Sequence, residues 1–196
     1  SWFVFDDGML CLMSDIKFEN LKEASTILNQ CRLKGEVFAE KMKVPIGKDL
    51  TITRKWLFHD NFIYAPLYPN TPIHLFADTL SGDWYSINHS NEKGKITETV
   101  FMPSIFHNGQ VSQSGYFISY SEDSKATTGL SFRSKFRILR NDKACQAIVV
   151  NNHLLMATFY QGGEITFQQQ TLQVDTGCMV LADKNKVFIS DPTHEG

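Results

Sequence analysis

At 196 residues, 42% of them hydrophobic and 20% charged, the chain can bury a sizeable core as one large domain or as one domain and part of a second. That balance excludes a disordered chain, and a formal charge of −2 excludes the global basic field by which proteins hold nucleic acid. No run of ~18 apolar residues offers a membrane span. Fifteen Phe, six Tyr and three Trp tilt the composition toward β-structure. Cys11, Cys31, Cys145 and Cys178 stand far apart in apolar segments, with no Cys-x-x-Cys or Cys/His spacing. They read as buried free thiols rather than disulfides or zinc ligands.

The chain begins at Ser1-Trp2-Phe3 without an initiator Met and runs directly into a strand pattern, as an excised or processed piece would. Trp2-Phe3-Val4-Phe5 and Met9 to Met13 read as a hairpin around Asp6-Asp7-Gly8. Asp15 to Leu21 is polar and loop-like, with at most a short helical turn. Ala24 to Cys31, Val37 to Met42 and Leu50 to Leu57 read as strands, and Pro66, Pro69 and Pro72 break the following stretch into an edge or a loop. The segment from Trp56 to Tyr120 consists of short aromatic-rich runs bounded by Gly, Asn, Asp or Pro, the pattern of consecutive antiparallel strands. Glu122 to Gly129 is small and polar and reads as a loop.

From Phe136 onward, strands at Phe136 to Leu139, Ala144 to Val150, Leu154 to Tyr160, Ile165 to Phe167, Cys178 to Ala182 and Val187 to Ser190 alternate with Asn-, Asp- and Gly-rich turns. There is no sequence repeat and no amphipathic helix of ten or more residues. The expected fold is therefore all-β, a large antiparallel β-sandwich without long helices.

Several of these segments resemble the central β-domain of polysaccharide lyase family eight, the chondroitin, hyaluronate and xanthan lyases. The opening Trp2-Phe3-Val4-Phe5-Asp6-Asp7 hairpin is similar to theirs, as is the Gly-x-Trp-x-x-Ile-Asn segment at Gly82, Trp84, Ile87 and Asn88. The turn Ile105-Phe106-His107-Asn108-Gly109 is one residue longer than the family's Ile-x-His-Gly, and Tyr116 and Tyr120 replace a Tyr-x-Tyr strand. Near the end, Ser190-Asp191-Pro192-Thr193 resembles the start of the family's small C-terminal β-domain.

The resemblance implies a sandwich of the supersandwich type, with a central domain over 1–165 and the beginning of a C-terminal β-domain over 166–196. It implies a secreted or periplasmic bacterial parent that cleaves an acidic, uronate-containing polysaccharide by β-elimination. The catalytic Asn, His, Tyr and Arg would lie in an N-terminal helical domain, which this segment would support. No catalytic residue, metal or cofactor is then expected within the chain. A free-standing carbohydrate-binding module and a purely structural β-domain are the rival readings.

Within the chain, His59-Asp60 beside Tyr64 offers a base, an orienter and an acid, but equally a polar strand end. His89 and His107 fall in expected turns, where solvation is the default, and Asn88-His89-Ser90 matches a glycosylation sequon. No Gly-x-Ser-x-Gly, phosphate loop or His-Glu-x-x-His is present. Arg133, Lys135 and Arg137 would share one face of a strand at i, i+2, i+4, extended by Arg140. Such a row either contacts sulfates and carboxylates or protects a sheet edge. Trp84 and Tyr85 pose a similar choice between stacking on sugar rings and packing in the core. Core packing is the expectation for Trp84.

Overall fold

A computed structural model describes residues 1–18, 23–90, 92–108, 111–122, 131–184 and 186–192. Numbered in chain order, its strands form three stacked antiparallel sheets and a hairpin. The central sheet runs β1 (Trp2–Phe5), β2 (Gly8–Ile16), β12 (Val111–Tyr120), β9 (Phe62–Pro66), β8 (Leu57–His59), β5 (Val37–Ala39), β6 (Met42–Val44). A flanking sheet runs β3 (Glu23–Ile27), β11 (Lys95–Asn108), β10 (Ile73–Asp83), β7 (Gly47–Ile52), with β4 (Cys31–Arg32) also paired to β11. The C-terminal sheet runs β13 (Phe136–Asn141), β14 (Cys145–Val150), β15 (Leu154–Phe159), β18 (Cys178–Asp183), β19 (Lys186–Ser190). β16 (Gly163–Phe167) and β17 (Gln170–Val174) make the hairpin.

Side-chain alternation explains the stacking. Along β2, Cys11 points to the flanking sheet, whereas Leu10 and Leu12 point to the C-terminal sheet. β9 divides Tyr64 from Ile63 and Ala65 in the same way, and β12 divides Tyr116 from Phe117. In β14, Ile148 and Val150 meet the central sheet while Ala147 and Val149 face the hairpin side. Strands buried on both faces therefore read as continuous apolar runs rather than alternating ones. The β1–β2 hairpin needs glycine at its corner: Gly8 has φ 148°, and a Cβ there would lie 2.2 Å from the Ile118 carbonyl oxygen.

Several expected strands have other limits. Ala24 to Cys31 divides into β3 and β4, because both pair with β11 around Pro103, which has no N–H to give. There only the Pro103 carbonyl takes part, accepting from the Leu28 N–H at 2.8 Å. Val37 to Met42 is a hairpin turned at Glu40, which adopts φ 56°. Leu50 to Leu57 breaks after Ile52 into the loop 53–56. β2 continues through Asp15, expected to be loop, because Ser14 and Ile16 pair with Gln113 and Val111. The loop expected over Glu122 to Gly129 lies, apart from Glu122, outside the described residues.

The core also takes two histidines, one of them expected in a solvated turn. His59 is fully buried, stacked on Phe101 at 4.0 Å, and its Nε2 accepts the Lys34 backbone N–H at 3.0 Å. His107 lies in β11 rather than in a turn, buried, with Nε2 2.7 Å from Thr26 Oγ1. Burial lowers the pKa of both rings below the usual 6.5. Among the described residues the cysteines are free, Cys11, Cys145 and Cys178 buried and Cys31 half-buried.

Two outcomes follow. Phe117→Ala, which empties a fully buried position between the central and C-terminal sheets, costs about 3–5 kcal/mol in urea unfolding. Stability also falls on acidification from pH 7.5 to 5.5. The unfolded chain takes up protons near pH 6.5, whereas His59 and His107 stay neutral in the fold until a lower pH. His107→Gln reduces this dependence; an identical urea midpoint at both pH values in the unsubstituted chain would show that both rings protonate freely.

Candidate functional site

The expected basic row does not form. Ser131–Ser134 is a 3-10 turn and β13 begins only at Phe136, so the i, i+2, i+4 rule does not reach Arg133. Arg133 instead turns to the preceding layer, donating from Nη2 to the Pro66 carbonyl at 2.8 Å and from Nη1 to the Leu67 carbonyl at 3.2 Å. Lys135 Nζ lies 3.7 Å from Asp7 Oδ1. Arg137 is exposed on β13 opposite Val149. Arg140 Nε donates to Asp142 Oδ2 at 2.6 Å, a contact that raises the guanidinium pKa. The cations thus serve different contacts.

Arg133 does enter a site, in other company. It lines a cavity of about 590 Å³ with Arg54, Lys55, Tyr68 and Asn70, beside Thr51 and Thr53. No carboxylate appears among the described lining residues. Three segments distant in sequence build it: the loop after β7, the turn between β9 and β10, and the 3-10 turn before β13. Asn70 takes φ 58° in the second segment, a conformation that Asn tolerates better than most residues. In the first, Trp56 is buried and pins the loop end, while Glu40 Oε1 accepts the Lys55 backbone N–H at 3.1 Å. The site is therefore a concave, cationic surface with hydroxyl, amide and aromatic walls.

One wall is tied to the C-terminal sheet. The Tyr68 hydroxyl accepts from Asn141 Nδ2 at 2.7 Å, and Asn141 Nδ2 also donates to the carbonyls of Met13 and Ser114. Asn141 Oδ1 in turn accepts from Gln146 Nε2 at 2.9 Å. Both carboxamides are buried.

Trp84 and Tyr85 stand elsewhere. Beyond Ala77, the last β10 residue paired with β7, β10 and β11 continue as a two-stranded arm to Asp83 and Lys95. At its tip Asp83 Oδ1 accepts the Tyr85 N–H at 2.9 Å and turns the chain into the 3-10 helix Trp84–Ser86. Strand alternation ends there, so Trp84, expected in the core, is 58% exposed. Tyr85 is the half-buried member, held by His89 edge-on and by Lys93 Nζ, 4.7 Å from its ring centroid. The ten residue steps of β10 separate cavity and tip by about 33 Å.

The set His59, Asp60 and Tyr64 does not assemble as acid and base. His59 is enclosed, and Asp60 turns outward to Lys34 at 3.1 Å. The Tyr64 hydroxyl accepts from Asn29 Nδ2 at 2.6 Å, and burial pushes its pKa up to about 12. Among the described residues no cluster of His, Cys, Asp and Glu could hold a metal ion. The Arg54-Lys55 pair is the part of the site that sequence reasoning missed. Its signal, two adjacent cations ahead of a buried Trp, is indistinguishable from an ordinary solvated loop.

The family model for the polysaccharide lyase family 8 super-sandwich domain matches residues 1–128, and that for the family's C-terminal β-sandwich domain matches 137–196. Chondroitinase-AC of Pedobacter heparinus is 27% identical over 207 residues, covering 98% of this chain and 29% of that protein. A solved chondroitinase AC lyase, studied as enzyme–oligosaccharide complexes, is 26% identical and superposes with a TM-score of 0.88 over 100% of this chain and 30% of its own. The chondroitin AC lyase of Streptomyces coelicolor A3, in complex with chondroitin sulphate, shares the fold, with a TM-score of 0.72 at 19% identity over 100% of this chain and 26% of its own. The chain spans less than a third of the length of these relatives. With two adjoining models matched and the strand order of a layered sandwich beneath them, the chain belongs to polysaccharide lyase family 8 and comprises β-sandwich domains of that family.

Proposed function

We propose that the chain is the β-sandwich part of a bacterial, extracellular or periplasmic lyase that degrades an acidic, uronate-containing polysaccharide by β-elimination. In this reading it buttresses a helical catalytic domain of the same parent and forms one wall of the substrate cleft. The observation that carries it is the cationic cavity of Arg54, Lys55 and Arg133, without a described carboxylate, on a chain of this family. Opposed charge favours a polyanion, and guanidinium groups suit carboxylate or sulfate oxygens. Arg137 and Lys135 lie on the surface as further contacts, and Trp84 with Tyr85 offers an aromatic contact at the arm tip.

β-Elimination needs a base for the proton beside the carboxylate, an acid for the leaving oxygen and a group that neutralises the carboxylate. The chain's own candidates are withdrawn into its core: the His59 ring is enclosed and the Tyr64 hydroxyl is bound by Asn29. The chemistry is accordingly assigned outside these residues, and no residue here is given a catalytic role. Two units are proposed, with the division between β12 and β13. The expected boundary at 165/166 cuts between β15 and β18, which pair directly, whereas the matched segments end at 128 and begin at 137.

The 196-residue chain, incubated with chondroitin sulfate, hyaluronan and heparin, releases no unsaturated uronate detectable by ultraviolet absorbance. The same chain is retained on immobilised chondroitin sulfate at low salt and released as salt screens the cavity. Product formation would place a catalytic set within the chain, and absence of retention would remove the polyanion reading.

A further inference from the structure

The three cations of the cavity are not equivalent. Arg133 directs two donors at the Pro66 and Leu67 carbonyls and so holds a lip of the cavity. Arg54 is shared with partners outside the lining: Nη1 lies 3.8 Å from Glu40 Oε2, and Nη2 donates to the Met42 thioether at 3.2 Å. Both contacts are weak, one an exposed ion pair and the other a bond to a poor acceptor. Lys55 is exposed, and its ammonium makes no hydrogen bond or ion pair among the described residues. Its backbone, by contrast, is fixed by Glu40 Oε1, and the next residue, Trp56, is buried. The loop is thus anchored while its charged end stays available.

We propose that this cavity is a subsite for one anionic sugar unit, in which Lys55 is the main donor to the anion and Arg54 exchanges Glu40 for it. Glu40 is a positioning residue with two opposed effects: it holds the loop through the Lys55 N–H and competes with the ligand for Arg54. Tyr68, its hydroxyl tied to Asn141, supplies a fixed ring wall for the apolar face of the sugar. The volume of about 590 Å³ lies within the range of about 300–1,000 Å³ over which pockets hold small ligands. The identity of the ligand rests on the acidic-polysaccharide reading above; the division of labour among the cations rests on the contacts alone.

The test is titration of the chain with chondroitin sulfate and hyaluronan oligosaccharides of equal length at low salt. Lys55→Gln weakens binding about fivefold or more, the loss of one charge-assisted hydrogen bond. Arg54→Gln weakens it less. Glu40→Gln, which keeps the acceptor for the Lys55 N–H and removes only the charge, tightens binding. Arg32→Gln, an exposed cation paired with Glu98 and outside the cavity, leaves it unchanged. None of these side chains is buried, and an unaltered near-ultraviolet circular dichroism spectrum verifies the fold. A Lys55 effect on both polymers assigns the anion as the carboxylate they share; an effect confined to chondroitin sulfate assigns it as sulfate. Wild-type affinity in both Lys55→Gln and Glu40→Gln overturns the subsite, and weaker binding in Glu40→Gln overturns the exchange of Arg54. If the unsubstituted chain binds neither polymer, the acidic-polysaccharide reading fails with it, an outcome distinct from the other two.

Discussion

Burial of the central sheet on both faces is the constraint from which the rest of the structure follows. Over Leu10 to Leu12, Ile63 to Ala65 and Tyr116 to Phe117, its β2, β9 and β12 have no solvent side, so each of these side chains must suit one of two apolar layers. A one-residue slip in register would exchange those layers wholesale, bringing Cys11 and Tyr116 to the places of Leu10, Leu12 and Phe117. The mismatch in volume and polarity would be felt across both interfaces at once. Packing on two sides therefore specifies register more strongly than the short turns joining the strands.

Polar groups in such a position are tolerated only with partners, because a buried unpaired donor or acceptor costs about 1–3 kcal/mol. Among the described residues no buried side-chain nitrogen or oxygen lacks a partner. Asn141 is a case with several partners. It ends β13, reaches the carbonyls of Met13 and Ser114 in the central sheet, and accepts from Gln146 beside it. Gln113 Nε2 completes the exchange by donating to the Asn141 carbonyl at 2.8 Å. Apolar contacts between sheets are tolerant of sliding; these directional bonds are not. They fix the C-terminal sheet on the central one, and through Tyr68 they fix one wall of the cationic cavity as well.

Most of the layered fold was legible because two-sided burial writes itself as continuous apolar runs, as in Ala147 to Val150, with Asn and Gly turns between them. Less legible were the places where one residue overrides local propensity. Pro103 looks like a strand interruption, yet it stays within β11 and instead separates β3 from β4 on the neighbouring edge. Asp83 ends strand alternation by capping a 3-10 turn, so the inward-facing Trp84 implied by alternation became the exposed one. Arg133 has the spacing of a strand row but sits in a 3-10 turn, where that spacing carries no facial meaning. The cavity itself was beyond sequence reasoning, since its walls come from segments around residues 54, 68 and 133 that periodicity cannot bring together.

β10 relates the cationic cavity to the aromatic tip of the arm. Its first residue, Ile73, follows Thr71 and Pro72 of the cavity, and its last, Asp83, caps the turn that exposes Trp84. The first half of the strand is clamped between β7 and β11, with Ile73, Leu75 and Ala77 in the core, whereas the second half is paired to β11 alone. The cavity is accordingly mounted on the part of the strand with packing on its inner face, and the aromatic tip on the part without it. A separation of about 33 Å is too great for one sugar unit to touch both. Any contact made by the tip is thus energetically independent of the cavity unless a polymer bridges them. In that case the arm would add effective concentration rather than affinity within the cavity itself.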